Sequence, residues 1–400
     1  MPTAVAHRVA LGFGNNVDYE IVWDSDLIEY LCRQHCISGN DIHEYTVINN
    51  VRELLGSILF HLKTGSGKEV LVSDSGIIEE FSACFQKKIT MGGTGIRAAI
   101  AMAKMGVPSA LHLVTINDLV RRGIPKGCSF VCSSDQDRSY PHLIVQYKAG
   151  IKVCTAGIEI CSQTANRIIY THDRDNAEMR INEDYASLIQ SARILLVSGF
   201  NVMLDYRTMD HRLEAVRHLI SVLPEGAVVF SEFGCYLNEE LQWHFLTQMR
   251  DRIDIFSMNE EEMQQLLARK VNLMDAYDVS EALKSLHGMI GTEYLLVHTH
   301  LWAAIYGSCA EKYADALRSA VALATTRYRF GDDFTAKEYD SSISLPILGE
   351  RREFAAGLKT LLGEGILIVP VGEARETNVT TIGLGDSFVG GFMLPFAKDI

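Results

Sequence analysis

Long apolar runs and positive charge are both scarce in this chain, and each scarcity excludes a class of protein. No apolar run approaches the roughly 18 residues of a membrane-spanning helix, and no apolar segment near the start is typical of a signal peptide. Lysine and arginine total 37 against 50 aspartates and glutamates, giving a net charge of -13, which argues against nucleic acid as the main partner. We therefore expect a cytoplasmic protein that binds neither membranes nor nucleic acid.

A disulfide or zinc framework is also lacking. The chain has nine cysteines, an odd number, and their spacing shows no regular pattern. The closest pairs, Cys32 with Cys36 and Cys128 with Cys132, do not supply the two ligand pairs of a structural zinc site. We therefore expect reduced thiols, mostly buried, in a reducing compartment.

What the chain does have is a regular alternation of apolar strands with amphipathic helices after residue 184. Such alternation predicts a mainly parallel sheet flanked by helices, a Rossmann-like α/β arrangement. Residues 129–173 differ, because short β-like runs are separated by turn residues without a long helical pattern, which indicates an antiparallel insert suited to act as a lid. The strands predicted in the regular region are 194–197, 228–230, 253–256, 295–297 and 366–371.

The strongest chemical signal lies near the end of the chain, in Gly383-Leu384-Gly385-Asp386. An apolar strand precedes this turn and a helical apolar pattern follows it, so the turn is predicted to open a helix. The free N–H groups of a first helical turn attract an anion, and glycines allow close approach. A carboxylate there would repel phosphate unless it removes a proton from an attacking hydroxyl, as in phosphoryl transfer. The alternative is that Asp386 merely caps the helix.

Polar residues also follow the predicted first strand, residues 8–12. Asn16 and Asp18 stand where a dinucleotide-binding chain would carry glycine, and their side chains suit the hydroxyls of a sugar. The alternative is an ordinary Asx-rich turn. A second glycine cluster, Gly92-Gly93, predicts a tight turn against a small polar ligand, with close helix packing as the alternative.

A phosphate-binding loop is excluded at residues 64–68. The motif requires glycine where Leu62 stands and serine or threonine where Glu69 stands. This segment is predicted to be a flexible turn. Residues 47–62 before it carry apolar side chains at helical spacing and are predicted to form a helix.

A magnesium site is predicted beside the glycine turn. Glu232 follows one predicted strand, and Asn259 and Glu262 follow the next, close enough along a helix start to share one face. Oxygen ligands of this kind hold Mg²⁺, usually through water. The alternative is that Asn259 caps a helix and Glu262 completes a capping box.

Taken together, these segments resemble the ADP-dependent sugar kinases, the ADP-dependent glucokinases and phosphofructokinases of the ribokinase-like superfamily. The resemblance covers nearly the whole chain in the family's order. Gly-x-Gly-Asp and Asn-x-x-Glu are shared by the wider superfamily, whereas the other matches point to the ADP-dependent branch. The matching segments are Asn16-Val17-Asp18, Gly92-Gly93-Thr94-Gly95-Ile96, Asn166-Arg167-Ile168-Ile169, Phe230-Ser231-Glu232-Phe233, Met258-Asn259-Glu260-Glu261-Glu262, Val297-His298-Thr299 and Gly383-Leu384-Gly385-Asp386.

The resemblance implies a fold and a reaction. The fold would be ribokinase-like, with a large nucleotide-binding α/β domain (1–18, 91–126 and 181–400) and a smaller α/β lid domain (part of 19–90, and 127–180) that contributes to the sugar site. The reaction would transfer the β-phosphoryl group of ADP to a hexose or hexose phosphate, with Mg²⁺ as cofactor and only small molecules as partners.

The resemblance also implies residue roles. Asp386 would be the catalytic base and Arg167 would reach the transferring phosphate, while Asn16, Asp18, Gly92 and Gly93 would hold the sugar. The nucleotide would contact Gly383, Leu384, Gly385, His298 and Asn259. Magnesium would be organised by Glu232, Asn259 and Glu262.

The acceptor and the donor each leave alternatives. Arg97 follows the glycine turn and arginine suits phosphate, which slightly favours fructose 6-phosphate over glucose; Lys148, Lys152 and Arg174 are further candidates for that phosphate. The family usually carries His-x-Glu where this chain has Phe230-Ser231-Glu232. An ATP-dependent sugar or nucleoside kinase and a catalytically silent sugar or nucleotide sensor therefore stay open, and a nicotinamide dehydrogenase is a distant third.

Overall fold

The computed structural model describes residues 6–138, 140–155, 157–236, 238–376 and 379–398. No helix in these ranges is both long and apolar enough to cross a membrane. The strands are β1 (Val9–Leu11), β2 (Asn16–Ile21), β3 (Val47–Ile48), β4 (Lys68–Val72), β5 (Lys87–Gly92), β6 (Ala110–Leu113), β7 (Ser129–Cys132), β8 (Pro141–Tyr147), β9 (Lys152–Thr155), β10 (Ile158–Cys161), β11 (Asn166–Thr171), β12 (Ile194–Val197), β13 (Val228–Glu232), β14 (Ile255–Asn259), β15 (Tyr294–His298), β16 (Trp302–Tyr306) and β17 (Ile366–Pro370).

Helices connect and cover these strands. They are α1 (Ser25–Gln34), α2 (Val51–Thr64), α3 (Ser75–Ala83), α4 (Thr94–Lys104), α5 (Asp118–Gly123), α6 (Arg174–Glu178), α7 (Tyr185–Ile189), α8 (Tyr206–Ser221), α9 (Glu239–Met249), α10 (Glu260–Leu266), α11 (Ala276–Ile290), α12 (Ala314–Phe330), α13 (Ala336–Ile343), α14 (Gly349–Leu362) and α15 (Leu384–Met393).

The larger sheet has nine strands in the order β17-β16-β15-β14-β13-β12-β1-β6-β7. All neighbours from β7 to β15 pair in parallel, and β16 and β17 add two antiparallel pairings at one edge. Its strands are buried because helices cover both faces: α8, α9, α11 and α14 on one side, α4, α12 and α15 on the other. The predicted mainly parallel sheet flanked by helices is confirmed, although β16 escaped prediction.

The smaller sheet has six strands in the order β3-β4-β11-β8-β2-β5, and α1, α2 and α3 cover one of its faces. Successive side chains on a strand point to opposite faces. Leu143, Val145, Ile168 and Tyr170 therefore pack under the helices. Their neighbours along the same strands, including His142, Ile144, Arg167 and Ile169, face the larger domain. This sheet therefore presents both polar and apolar side chains towards the carboxyl edge of the larger one.

Three sequence-based boundaries need correction. The expected antiparallel insert is part of a mixed sheet, since β8 pairs in parallel with β2 and antiparallel with β11. Residues 129–132 were assigned to the smaller domain but pair with β6 in the larger sheet. Conversely, β2 belongs to the smaller sheet, although residues 16–18 were assigned to the larger domain. Short strands separated by turns carry no signal of which sheet they join.

The predictions for residues 47–68 agree with the structure apart from the start of one helix. The predicted helix at 47–62 begins at Val51, because the Asn50 side chain accepts the N–H of Glu53 and ends the preceding strand. Its last turn closes at Gly65, whose φ of 68° is left-handed. The rejected phosphate loop is thus a helix C-cap followed by β4.

Candidate active site

Two cavities meet in the cleft between the two sheets. The first, which we call the acceptor cavity, has a volume of about 260 Å³, and the second, the donor cavity, about 580 Å³. Arg167, Glu232, Gly383 and Asp386 line both. A group bound in one cavity can therefore reach a group bound in the other only past these four residues.

The junction is built on the start of α15. Gly383 is left-handed, with φ of 67°, and the helix begins at the next residue, so Asp386 lies in its first turn. A side chain at Gly383 would collide with two arginines, since its Cβ would lie 2.8 Å from Arg97 Nη1 and 3.1 Å from Arg327 Nε. Arg327 is itself buried and donates to the Ile382 carbonyl at 2.7 Å. The turn is thus fixed from both sides, with its free N–H groups at the junction.

Arg97 is placed differently from the sequence-based expectation. It lines the acceptor cavity, but its guanidinium is buried among carboxylates, 2.7 Å from Asp18, 3.4 Å from Glu20 and 3.8 Å from Asp386. Burial opposes the charge, yet these carboxylates raise the pKa of Arg97 above its ordinary value. The guanidinium is therefore surrounded by three carboxylates, which would repel a sugar phosphate bound beside it.

The residues predicted to hold the sugar are brought together. Asn16 and Asp18 are buried on β2, and Asn16 Nδ2 donates to Asp18 Oδ1 at 2.5 Å. The glycine turn lies against them, because a Cβ on Gly92 would come within 2.6 Å of Asp18 Oδ1. Gly93 has φ of 96° and lines the acceptor cavity with Asn16 and Asp18. By contrast, Lys148, Lys152 and Arg174 line neither cavity.

Two acceptor-cavity residues were missed from the sequence, Glu69 and His142. The Glu69 carboxylate accepts no hydrogen bond from any residue that the structure describes, and burial raises its pKa. Burial opposes protonation of His142, but a 3.0 Å contact with Asp173 raises its pKa overall. In the sequence, Glu69 was considered only as the residue that excludes a phosphate-binding loop. The one feature that could have indicated a functional role is its charge within a largely apolar strand.

The donor cavity contains a carboxylate–histidine pair. His298 Nε2 lies 3.0 Å from Glu232 Oε1, and the imidazole stacks on Phe388 at 4.5 Å between ring centroids. Burial lowers the pKa of His298, but Glu232 and neighbouring carboxylates raise it overall. The other oxygen, Glu232 Oε2, is buried and lacks a hydrogen-bond partner among the described residues. An unpartnered buried carboxylate oxygen is suited to a cation or a bound water.

Asn259 and Glu262 form the capping box that the sequence also allowed. The Asn259 side chain accepts the N–H groups of Glu261 and Glu262, and Glu262 Oε2 accepts the Asn259 N–H at 2.9 Å. Asn259 lines the donor cavity, whereas Glu262 lines neither cavity. Burial, and then Glu232, raise the pKa of Glu262 to about 7. No group of three or more His, Cys, Asp or Glu side chains suited to a metal occurs among the described residues.

Part of the donor-cavity wall is apolar, formed by Val321, Val371 and Phe388 among others, and such a surface suits a planar base. Arg351 stands at its wall, donates to the Val371 carbonyl at 2.7 Å and keeps a buried Nε without a partner among the residues described. Phe230, at the position where the family carries histidine, is fully buried and its ring lies 5.0 Å from Phe392. It fills the core between β13 and α15 and lines neither cavity.

Comparisons with known proteins identify the family and the fold. A family model for the ADP-specific phosphofructokinase/glucokinase conserved region matches residues 7–329. An ADP-dependent glucose/glucosamine kinase of Pyrococcus furiosus is 23% identical, with 96% of this chain and 94% of that protein covered. A phosphofructokinase from Pyrococcus horikoshii, solved with AMP, superposes with a TM-score of 0.76 at 17% identity over 98% of both chains. An ADP-dependent kinase solved with fructose 6-phosphate and ADPβS has a TM-score of 0.75 at 14% identity, over 97% of this chain and 93% of that one.

Proposed function

The chain belongs to the ADP-specific phosphofructokinase/glucokinase family and is an ADP-dependent sugar kinase, and from that premise we propose that its acceptor is an unphosphorylated hexose or hexosamine. The observation that carries the choice of acceptor is the negative charge of the acceptor cavity, and the site of transfer is the junction of the two cavities at Asp386. That junction supports a sugar in the acceptor cavity, ADP in the donor cavity, and transfer where they meet.

The residues at the junction account for the chemistry. Asp386 removes the proton from the attacking sugar hydroxyl, whose oxygen forms a bond to the β-phosphorus of ADP as the bond from that phosphorus to the bridging oxygen breaks. AMP leaves and the sugar carries the phosphoryl group. The N–H groups at the start of α15 and the Arg167 side chain face the developing negative charge. Enclosure between the two sheets excludes water, which would otherwise accept the phosphoryl group.

Magnesium fits the donor side. A nucleoside diphosphate would meet the carboxylates of Glu232, Glu260 and Glu261, which line this cavity, and like charges repel. The unpartnered Glu232 Oε2 is the oxygen best suited to hold Mg²⁺, with Asn259 beside it and Glu262 fixing the helix start behind. When bound, Mg²⁺ neutralises charge on the phosphates.

The charge of the acceptor cavity favours a neutral or cationic sugar. Asp18 and Glu69 present carboxylates, Arg97 is already paired, and His142 is held by Asp173. Hydroxyl groups donate well to carboxylates, and the ammonium group of a hexosamine would pair with Glu69. The phosphate group of a phosphorylated sugar would instead lie against the carboxylates of Asp18 and Glu69. The curated relative named a glucose/glucosamine kinase is consistent with this choice.

A turnover matrix tests the proposal directly. ADP and ATP are each combined with glucose, glucosamine, fructose 6-phosphate and a nucleoside, with magnesium, and AMP or ADP release is measured alongside the sugar product. We expect turnover with ADP on glucose or glucosamine.

Turnover only with fructose 6-phosphate would contradict the proposed acceptor, and turnover only with ATP the proposed donor. Binding of sugar and nucleotide without turnover under any condition would favour a silent sensor instead.

A further inference from the structure

We propose that Arg97 is a positioning residue for phosphoryl transfer, which holds the base Asp386 in register with the acceptor-binding carboxylate of Asp18. The inference rests on the proposed function in that it takes Asp386 as the base. It replaces the sequence-based expectation that Arg97 binds a phosphate of the sugar.

The geometry connects three parts of the fold through one side chain. Arg97 lies in the first turn of α4, and its backbone N–H donates to the carbonyl of Gly93. Nη2 donates to Asp18 Oδ2 at 2.7 Å, on the smaller sheet, while Nε lies 3.8 Å from Asp386 Oδ2, on the helix that follows the larger sheet. The same Nη2 is 3.2 Å from Thr90 Oγ1. One rigid guanidinium plane therefore sets the distance between the two cavity walls.

The unequal distances suit the two carboxylates to different tasks. Asp18 is closely bonded from two sides, by Arg97 and Asn16, which fixes its orientation for a sugar hydroxyl. Asp386 lies beyond hydrogen-bond distance from Nε. Arg97 therefore attracts its carboxylate without donating a hydrogen bond to it, and an oxygen stays available to take a proton. A lysine could supply the charge but not a planar fork that serves both carboxylates.

Burying this cluster of charges costs free energy, because each charged side chain loses its contact with water. Arg97 is 8% exposed and Asp18 is 6% exposed. With Glu20 and Asp386 nearby, the cluster carries three carboxylates against one guanidinium. The guanidinium donates through Nη2 to Asp18, Glu20 and Thr90. The three carboxylates around it would repel a phosphate bound there.

The charge balance around Asp386 determines what removal of Arg97 does. Without the guanidinium, Asp18, Glu20 and Asp386 lose the cation that they share and repel one another. The charged groups that face this helix start from the elements around it are Arg97 from α4, Arg327 from α12, Asp18 from β2, Arg167 from β11, Glu232 from β13 and His298 from β15.

The test compares Arg97→Gln, Arg97→Lys and Glu20→Gln by steady-state kinetics from acid to alkaline pH. Arg97→Gln should lower kcat by roughly 10- to 100-fold, the cost of slight misplacement of a reacting group. The acid limb of its kcat profile should move up by about one pH unit, with the KM for ADP within twofold of the original. Arg97→Lys should keep the acid limb in place while kcat stays reduced. Glu20→Gln removes a negative charge and should move the limb to lower pH.

A matched control is Arg138→Gln, which breaks the paired contact of Arg138 with the buried Asp175. It should lower the melting temperature without moving the acid limb.

A kcat profile of Arg97→Gln that superimposes on the original, or a loss confined to the KM of a phosphorylated sugar, would overturn the proposal. If Arg97→Gln does not fold, normal kcat in Arg97→Lys together with an unmoved limb in Glu20→Gln would overturn it. Turnover with fructose 6-phosphate alone would refute the proposed acceptor yet leave this test intact, since the same profiles can be measured with that substrate.

Discussion

The donor and acceptor cavities are built in different ways. Donor-side residues stand at the carboxyl ends of successive parallel strands, where Glu232, Asn259 and His298 are the last residues of β13, β14 and β15. Acceptor-side residues come from within the smaller mixed sheet, where Asp18, Glu69 and His142 lie on three strands that are not neighbours in sequence. The donor cavity follows from the order of the strands along the chain. The acceptor cavity depends on which strands pair and on which face of the sheet each side chain lies.

This difference has a consequence for how each side tolerates change. Donor-side groups sit at strand ends and helix starts, where a substitution disturbs little of the sheet. Acceptor-side groups occupy sheet positions whose next residue along the strand, Val70 for Glu69 and Leu143 for His142, is packed in the smaller core. The acceptor side should therefore be the more rigid of the two, and the base between them should depend on both.

The largest effect is expected at the residue shared by both cavities. Asp386→Asn keeps the size of the side chain but cannot take a proton. We expect kcat to fall by roughly 10²- to 10⁴-fold, with the KM for ADP little changed, as measured by steady-state kinetics.

Asp315→Asn is the matched control, since Asp315 also lies in the first turn of a helix but is exposed and lines neither cavity. It should turn over normally. Near-normal kcat in Asp386→Asn would remove the base from its role and with it the reason to treat the two cavities as one site.

The next effect belongs to the acceptor side alone. Glu69→Gln retains the size of an unpartnered group but loses its charge. A hydrogen bond to a charged group contributes about 1.5–3 kcal/mol, so kcat/KM for glucosamine should fall by roughly 10- to 100-fold. Glucose should be affected less, and the KM for ADP should not move.

Glu44→Gln supplies the control, because Glu44 is an exposed partner of Lys68 on the same sheet edge and faces neither cavity. Equal losses for glucose and glucosamine in Glu69→Gln would argue against an ammonium-binding role. A loss in the KM for ADP would argue that the two cavities are not separate.

The same contrast explains what the sequence could predict. The helix start at Gly383, the strand ends that carry Glu232 and Asn259, and the parallel sheet follow from local patterns that repeat along the chain. Glu69 and His142 were missed because each is one polar residue in a short strand, and only the pairing of β4, β11, β8 and β2 brings them together. Arg97 was noticed as a cation beside the glycine turn, but the carboxylates around it could not be foreseen, because they lie on β2 and at the start of α15.

A smaller effect, on the magnesium requirement, distinguishes a carboxylate that binds the metal from one that only caps a helix on the donor side. Glu232→Gln removes the charge of the carboxylate that carries the unpartnered oxygen, and Glu262→Gln changes only the capping partner behind it. We expect Glu232→Gln to raise the magnesium concentration needed for half-maximal rate by about tenfold. Glu262→Gln should raise it much less, because its carboxylate lines neither cavity.

The measurement is a magnesium titration of the initial rate at saturating ADP. A larger shift in Glu262→Gln than in Glu232→Gln would restore Glu262 as a direct metal ligand. Unchanged titration curves in both would place the metal elsewhere.

The smallest effect concerns the charge of the smaller domain and can be seen in stability alone. Despite burial, the contact with Asp173 raises the pKa of His142, whereas burial lowers the pKa of His61, which contacts Ser66. A raised histidine pKa contributes stability that is fully present below about 6.5 and is lost as pH rises through the folded value. A lowered one has the opposite sign, so stability is lost as pH falls below about 6.5. The melting temperature of His142→Gln should therefore vary less above neutrality than that of the original protein, and His61→Gln should vary less on the acid side. If both variants show the same pH dependence as the original protein, neither histidine changes its proton affinity on folding.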